Sequence, residues 1–268
     1  DLKKYKDKNI SDVLEKGLRS LKYVRIHGSR DYFHVKFEKY TVELVPIFEI
    51  RNSDQACNIT DISPLHTRWV KKHKKLSDEI RLSKAFVKAQ GCYGAESYIR
   101  GFSGYVLEIL TIYYKGFNNF VKNCSKWKPK VIIDVEKKLK NPLMELNASK
   151  TISPLVVVDP VDRRRNASAV LSDEMFNKLV NACKKYVKNP SEKFFVFKEE
   201  KIPDDAYVFE VIPFEGKTDV VGSKIVKLFE HFKKRINMEG YKIIKSGWKW
   251  NDNALFWFKI KNVKLNSF

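Results

Sequence analysis

FSGYVLEILTIYYKG, residues 102–116, is apolar around most of the circumference of a helix, which predicts a central, buried helix. Two helix patterns precede it. SPLHTRWVKKHKK starts with Ser63 as a cap and Pro64 at the first helical position. SDEIRLSKAFVKAQG starts at Ser77 and stops at Gly91, which suits a left-handed helix cap. The middle of the chain is therefore predicted to be mainly helical.

Short strands interrupt this region and precede it. KVIIDV (130–135) and PLVVVD (154–159) are apolar runs, and a further capped helix is predicted at 172–187. Earlier, ISDVLEKGLRSL (10–21) predicts a helix with Ser11 as its cap. Three runs that alternate at period two follow it, namely KYVRIH, YFHVKFE and TVELVPI. One helix and three strands indicate part of an α+β sheet domain.

The chain from 190 onward has a β-α-β-β pattern. KFFVFK and AYVFEVIPF predict strands, VGSKIVKLFEHFKKRI a helix, and YKIIKSGWKW with ALFWFKIKNV a hairpin across NDN. Aromatic residues alternate with lysines in this hairpin. They suit base stacking, but a half-buried hairpin at the edge of a sheet explains them equally well and is the interpretation we prefer.

The composition favours a globular protein that binds a polyanion. The chain of 268 residues is 43% hydrophobic and 31% charged, and 52 Lys and Arg against 32 Asp and Glu give a formal net charge of +20. Such a charge favours nucleic acid or a nucleotide. A membrane surface is the competing partner, but no basic amphipathic helix with a Trp, Phe or Leu face stands out. No apolar run approaches the roughly 18 to 20 residues that span a bilayer, so a cytoplasmic protein is expected.

The cysteines do not form a recognisable site. Cys57, Cys92, Cys124 and Cys183 are too far apart for a C-x-x-C zinc or redox site and too few for a disulfide scaffold. They are interpreted as reduced thiols in the core or near the surface.

VVVDPVDRRRN, residues 156–166, ends an apolar strand with Asp-Pro and three consecutive arginines. A strand of this kind is usually interior, so its end is a fixed platform that gives the arginines a defined direction. A solvated loop is the plain interpretation of an arginine run on its own. The alternative is that the strand end directs positive charge at a ligand.

Other candidate residues also have a structural alternative. Arg81, Lys84 and Lys88 fall on one stripe of a helix, which fits either a solvated face or a row facing phosphates. His66 lies on the first turn of a helix, where a structural or surface histidine is the plain interpretation. Tyr93 lies in GCYGAE, whose glycines bring the backbone close to whatever lies opposite.

Glu43 projects from the strand TVELVPI, with its two neighbours on the opposite face. A lone strand carboxylate is normally half of a salt bridge. A metal site for phosphoryl transfer needs two or three carboxylates that converge on Mg²⁺, and no Asp-x-Asp accompanies Glu43.

Six stretches, in order and in their spacing, resemble the archaeal-type, class I CCA-adding enzymes, which are tRNA nucleotidyltransferases of the polymerase-β superfamily. They are VELVP, SPLHTRW, EIRLSKAF, GCYGAE, RGFSGYVLEILTIYY and VVVDPVDRRRN. The resemblance is densest from Thr41 to Ser172, whereas residues 1–40 and 190–268 are similar only in pattern.

The resemblance implies a reaction. The family adds C, C and A to the tRNA 3′ end without a nucleic-acid template. The terminal hydroxyl attacks the α-phosphate of CTP or ATP on two metal ions, so tRNA, CTP, ATP and Mg²⁺ are implied. Glu43 falls on the third metal carboxylate, which is usually Asp in the family. The family's positions that hold the triphosphate and the sugar correspond to His66, Lys84 and Tyr93 in this sequence.

The resemblance also assigns the arginines. Arg165 falls on the residue that reads the incoming base together with tRNA phosphates, and Asp159 falls beside it in the same pocket. An arginine fork offers the donors that such a role needs. The residues expected to serve RNA are Arg81, Lys88, Arg163 and Arg164, with solvent as the alternative for the last two.

One departure concerns the catalytic carboxylates. HGSRD (27–31) looks like the family's Gly-Ser loop, but no paired aspartates follow it, so it is interpreted as a turn. The sequence begins at Asp1 without a Met and stops at Phe268 directly after a strand-like run. We therefore expect a piece of a longer protein whose Gly-Ser and Asp-x-Asp lie upstream and whose tail domain continues further. The chain alone is predicted to be inactive.

The predicted architecture is α+β with three domains. Residues 1–60 would be the end of a palm-like catalytic sheet, 61–188 a helical central domain with the nucleotide and base-reading residues, and 189–268 part of a ferredoxin-like tail domain that contacts tRNA. A non-catalytic tRNA-binding relative is the alternative function, while oligoadenylate synthetase-like chemistry fits PVDRRRN and GCYGAE less well. A separate chain with the missing catalytic segment and a second copy of this chain remain open as partners.

Overall fold

A computed structural model describes residues 2–5, 7–198 and 201–262. It mixes helix and sheet, which confirms the α+β class. The chain divides into two compact units, each built from three separate stretches. The first unit comprises Asp1–Arg81, Tyr105–Phe120 and Pro129–Ala169, and the second comprises Leu82–Gly104, Val121–Lys128 and Val170–Phe268. The division into three domains stays a prediction, and its last residues, 263–268, lie outside the described residues.

The first unit starts with two helices and an antiparallel sheet. They are α1 (Leu2–Tyr5), α2 (Ile10–Gly17), β1 (Tyr23–Ile26), β2 (Tyr32–Phe37) and β3 (Tyr40–Leu44), with strand order β1-β2-β3. Phe33 and Val35 of β2 are buried and pack with Leu18, so the three predicted strands are confirmed. Ser11 was wrongly predicted as the cap of α2. Asn9 accepts the Ser11 N–H instead, while the buried Ser11 hydroxyl donates to the Asp31 carbonyl.

The next helices position most of the candidate site residues. They are α3 (Ser63–Lys71), α4 (Ser77–Ala89), α5 (Gly104–Tyr113) and α6 (Phe117–Cys124). Ser63 was wrongly predicted as a cap, because a 3-10 turn at Ile59–Ile62 runs directly into α3. Asn58 caps that turn, in a capping box with Asp61.

The predicted stop of α4 and the predicted burial of α5 are both confirmed. Gly91 has φ of +63°, and its N–H donates to the Lys88 carbonyl while the Cys92 N–H donates to the Val87 carbonyl. This pair of bonds is a Schellman motif, which glycine adopts without steric cost. In α5 every side chain from Val106 to Ile112 except Glu108 is buried.

Two parallel strands form the platform that precedes the arginine run. β4 (Val131–Ile133) pairs with β5 (Leu155–Val157), and α7 (Pro142–Glu145) lies between them in sequence. All of β5 and the following Val158 are fully buried. The sequence-based expectation of an interior strand is therefore confirmed.

The second unit ends in an antiparallel sheet with one long helix. Its elements are α8 (Asp173–Lys188), β6 (Tyr207–Val211), α9 (Thr218–Met238), β7 (Tyr241–Trp250) and β8 (Ala254–Asn262), with strand order β6-β8-β7. The predicted hairpin is confirmed, and Phe256, Trp257 and Phe258 of the central strand β8 are buried. These three aromatics are packing residues, as expected, but the expected edge position was wrong for β8, because β6 and β7 pair with it on both sides.

KFFVFK was wrongly predicted as a strand. It begins with a 3-10 turn at Glu192–Phe195, where Ser191 accepts the Lys193 N–H. Phe194 and Phe195 both contact the rings of Phe86 and Tyr186, so aromatic packing on two helices overrides the local strand preference.

Across residues 2–5, 7–198 and 201–262, no helix combines the length and the apolar character needed to cross a membrane.

Candidate functional site

The loop after β5 is held closed by its own backbone. The Asp159 N–H donates to the Arg165 carbonyl at 3.0 Å, and the Arg165 N–H donates to the Asp162 carbonyl at 3.0 Å. Behind them, the buried Asn166 amide accepts the Val157 N–H at 2.9 Å and donates to the Lys150 carbonyl at 2.7 Å. Asp159 and Arg165 are therefore fixed beside each other, although six positions separate them in the sequence.

The Asp159 carboxylate is fully buried and accepts hydrogen bonds on both oxygens. Oδ2 lies 2.9 Å from His66 Nε2 and 2.7 Å from Arg165 Nη1. Oδ1 accepts the Tyr105 hydroxyl at 3.2 Å and the Val161 N–H at 2.9 Å. Burial on its own would raise the pKa of Asp159, but the bonds from His66, Val161 and Arg165 outweigh it and hold the pKa below its usual value.

Tyr105 is a site residue that sequence reasoning missed. Its ring lies 4.0 Å from the His66 ring, measured between centroids, with a tilt of 32°. Burial, followed by the charge of Asp159, raises the pKa of Tyr105 far above its usual value, so the phenol stays neutral and donates to the carboxylate. The only sequence signal was a hydroxyl-bearing residue on the first turn of an otherwise apolar helix.

The three consecutive arginines differ in their exposure and in their ion pairs. Arg165 is one third exposed and forms an ion pair with Asp159. Arg164 binds Asp162 and also reaches Asp54, with Nη1 and Oδ1 3.2 Å apart. Arg163 is exposed and makes no ion pair with any residue in the described part of the chain. The strand end thus directs one arginine inward and leaves the others near solvent.

His66, Asp159 and Arg165, which were predicted separately, form one cluster with Tyr105 in the first unit. We name this set the Asp159 cluster.

Arg81, also in the first unit, is largely exposed and binds Asp78 on its own helix. This pairing fits the solvated-face alternative for Arg81 as well as it fits a phosphate contact.

Lys84, Lys88 and Tyr93 lie together in the second unit. Lys88 Nζ lies 4.7 Å from the centroid of the Tyr93 ring, a cation–π contact. Gly104 faces Tyr93 and Lys84. A Cβ on Gly104 would lie 2.8 Å from the Tyr93 hydroxyl and 3.7 Å from Lys84 Nζ. A glycine at this position therefore leaves room for the two polar groups.

Glu43 is exposed on β3, opposite His34 of β2. Its Oε2 lies 3.4 Å from His34 Nε2, and it lines an open groove of about 730 Å³ together with Arg68 and Lys71 of α3. Among the residues that the structure describes, no three His, Cys, Asp or Glu side chains form a group that could hold a metal ion. Glu43 alone does not make a metal site.

Comparison with known proteins identifies relatives across most of the chain. The family described as "tRNA nucleotidyltransferase, second domain" matches residues 78–196. A CCA-adding enzyme of Nanoarchaeum equitans is 45% identical over 193 residues, which is 70% of this chain and 49% of that protein. CCA-adding enzymes of Saccharolobus shibatae and Sulfurisphaera tokodaii are 31% and 32% identical over 90% and 98% of this chain, and over 58% and 63% of their own lengths.

The chain therefore spans about half to two thirds of the length of these curated relatives. The family match includes α4 from its second residue onward, the residues around Tyr93, and the whole of the Asp159–Arg165 loop. This chain belongs to the archaeal-type CCA-adding enzymes, a family of tRNA nucleotidyltransferases.

Proposed function

We propose that this chain forms part of an enzyme that adds CCA to the 3′ end of tRNA from CTP and ATP, without a nucleic-acid template. The observation that carries the proposal is the Asp159 cluster, in which a buried carboxylate holds an arginine fork at a fixed position. The names of the relatives supply the chemical context. A non-catalytic tRNA-binding relative remains the second candidate, because only one candidate catalytic carboxylate, Glu43, is at hand.

Arg165 is proposed to recognise the incoming base. Its guanidinium carries only donors, and one of its nitrogens is occupied by Asp159. The remaining donors can meet the acceptor nitrogen that cytosine and adenine present on their pairing edge. Uracil and guanine carry an N–H at that position and would repel a donor. A fixed arginine can therefore accept C and A and reject U and G.

Asp159, His66 and Tyr105 are proposed to position Arg165. Removing water from the Asp159 carboxylate strengthens its attraction for the guanidinium. His66 shares the same oxygen and, on its other side, offers a ring that can approach the sugar or triphosphate. Because the tautomer of His66 is set by its bond to Asp159, the second ring nitrogen has a defined direction.

Lys84 and Tyr93, together with His66, are proposed to bind the triphosphate and the sugar. A lysine acts as a point charge toward phosphate oxygens, while the tyrosine hydroxyl can bond to a sugar hydroxyl. The proposed RNA contacts are Arg81, Lys88, Arg163 and Arg164.

Mg²⁺ is proposed as the metal of the complete enzyme. Glu43 would contribute one oxygen ligand, and metal ions would stabilise the negative charge that develops in phosphoryl transfer. The described residues alone do not fit a metal site, because no three of their His, Cys, Asp and Glu side chains form a group that could hold a metal ion. The other ligands would come from a segment outside this sequence or from a separate chain.

Two further proposals concern organisation. One is the division into domains at 1–60, 61–188 and 189–268, and the other is the pairing of two copies of this chain.

Nucleotide addition tests this function. The full-length protein is incubated with a tRNA transcript that lacks CCA, together with CTP, ATP and Mg²⁺, and the products are resolved at single-nucleotide length. Addition of three nucleotides is expected, and omission of CTP should prevent any addition. A protein that binds the transcript tightly but extends it under no condition would support the tRNA-binding relative instead.

A further inference from the structure

A groove in the second unit is lined by lysines that the family resemblance does not assign. It has a volume of about 1150 Å³ and lies between the end of α4, the second half of α8 and the segment after α8. We name it the lysine groove. Its charged lining residues are Lys178, Lys185, Lys188, Lys193 and Lys198.

The packing of α8 explains why its lysines face this groove. Phe176, Leu179, Val180, Ala182 and Cys183 are buried and fix the orientation of the helix. The lysines occupy the opposite side and are exposed. From the first to the last of its lysines, α8 advances by about 15 Å, since each residue adds 1.5 Å. That length suits a chain of several phosphates better than a single nucleotide.

Among the residues that the structure describes, the lining of the lysine groove is basic and carries no acidic side chain. None of its lysines forms an ion pair within the described part of the chain. Lys178 Nζ donates to the Gly91 carbonyl at 3.4 Å. A concave surface that carries only positive charges attracts a polyanion. When a nucleic acid binds to such a surface, the counterions condensed on its phosphates are released.

An exposed aromatic residue favours RNA over an acidic protein. Phe197 lines the groove and is 65% exposed, and its ring lies next to Gly91. Bases of single-stranded RNA stack on such rings without sequence preference. Lysines along a groove combined with an aromatic ring at its edge are the arrangement that single-strand binding proteins use.

We infer that the lysine groove binds the phosphate backbone of the RNA substrate. The inference rests on the proposed function for its choice of RNA, and it adds a contact surface to the residues already assigned. It requires no chemistry, since the lysines act only as charges.

A charge-matched pair of variants tests this inference. The groove variant carries Lys185→Gln, Lys188→Gln and Lys193→Gln, and the control variant carries Lys16→Gln, Lys22→Gln and Lys36→Gln, which are exposed in the first unit. Both lose three positive charges. Binding of a tRNA transcript without CCA is measured by fluorescence anisotropy at several salt concentrations, after thermal melting shows that both variants fold.

The groove variant should bind at least about tenfold more weakly than the control, with a log–log salt slope smaller by roughly 2. Replacing the same three lysines with arginine should restore binding. Equal affinities and slopes for the groove and control variants would overturn the inference.

Acetylation of lysines by a soluble reagent, read by mass spectrometry, gives an independent measurement. Bound tRNA should protect Lys185, Lys188 and Lys193 but not Lys16, Lys22 and Lys36. Unprotected groove lysines would contradict the inference even if the groove variant bound weakly. Nucleotide addition by the full-length wild type is measured in parallel, on the same tRNA transcript with CTP, ATP and Mg²⁺. If addition fails while the groove variant still weakens RNA binding, the proposed function is wrong and the groove inference stands.

Discussion

Arg165 Nη1 lies 2.7 Å from Asp159 Oδ2, and the carboxylate that holds it is fully buried. The backbone of the loop joins the same two residues, because the Asp159 N–H donates to the Arg165 carbonyl. A side-chain bond and a main-chain bond thus fix one arginine of a run of three. The direction of Arg165 is set by the fold before any ligand binds, which is what selective recognition requires.

Removal of the Asp159 carboxylate should destabilise the first unit. Asp159→Ala leaves Arg165, His66 and Tyr105 without their shared acceptor, and breaking a buried ion pair costs about 3–5 kcal/mol. The free energy of unfolding is measured by urea denaturation. Asp54→Ala is the matched control, since Asp54 pairs with Arg164 at an exposed position, and it should change stability by less than about 1 kcal/mol. Equal losses in the two variants would contradict this account of the cluster.

The stability of the protein should depend on pH through Asp159. Its folded-state pKa is lowered, so its ionised form stabilises the fold above the unfolded-state pKa of about 3.9. That stability is lost as the pH falls through the folded-state pKa. Between about pH 4 and pH 2, the wild type should therefore lose free energy of unfolding more steeply than Asp159→Asn. Asp61, whose pKa is also lowered, contributes equally to both proteins, so the difference in slope reports Asp159. Identical slopes would show that Asp159 is not the group responsible.

Only one of the four thiols should react readily in the folded protein. Cys57 is exposed, whereas Cys92, Cys124 and Cys183 are buried. Burial raises the pKa of Cys92 to about 12 and also raises that of Cys124, so both stay protonated at about pH 8. A colorimetric thiol reagent should modify one thiol quickly, and all four after denaturation. Cys57→Ser should abolish the fast phase, and a fast phase that survives this change would contradict the prediction.

Gly104 should matter for nucleotide binding rather than for folding. Gly104→Ala places a methyl group against the Tyr93 hydroxyl and shifts it, so CTP affinity should fall roughly 3- to 10-fold, about 1 kcal/mol. Isothermal titration calorimetry measures the affinity. Gly17→Ala serves as the control because, among the described residues outside its own helical turn, none has an atom within 4 Å of the added methyl group, and it should leave CTP binding unchanged. A Gly104 variant that binds CTP like the wild type would remove Tyr93 from the proposed nucleotide site.

The sequence predicted most helices and strands because their signals are local. The alternating runs of β1 to β3, the buried run of β5 and the glycine stop of α4 each depend on residues close together in the chain. The turn at Glu192–Phe195 was missed because its aromatic partners lie on distant helices. The cap at Ser63 was predicted wrongly because a 3-10 turn extends the helix toward Asn58.

The candidate site was predicted residue by residue but not as a cluster. His66, Asp159 and Arg165 came from the family resemblance, and nothing in their spacing showed that they share one carboxylate oxygen. Tyr105 was not predicted at all, because a tyrosine on an apolar helix looks like core. Its role follows only from the fold, which brings two distant helices, α3 and α5, to Asp159.

Base selection is the property that Arg165 is proposed to provide, and the ratio of kcat/KM for CTP to that for UTP measures it. The full-length wild type and Arg165→Met, which keeps an unbranched side chain but has no donor, are compared on tRNA lacking CCA. The wild type should prefer CTP, and the variant should lose about 10- to 100-fold of that preference, the value of a hydrogen bond to a charged group. An unchanged ratio in an active Arg165→Met variant would contradict the assignment of Arg165 as the residue that recognises the base.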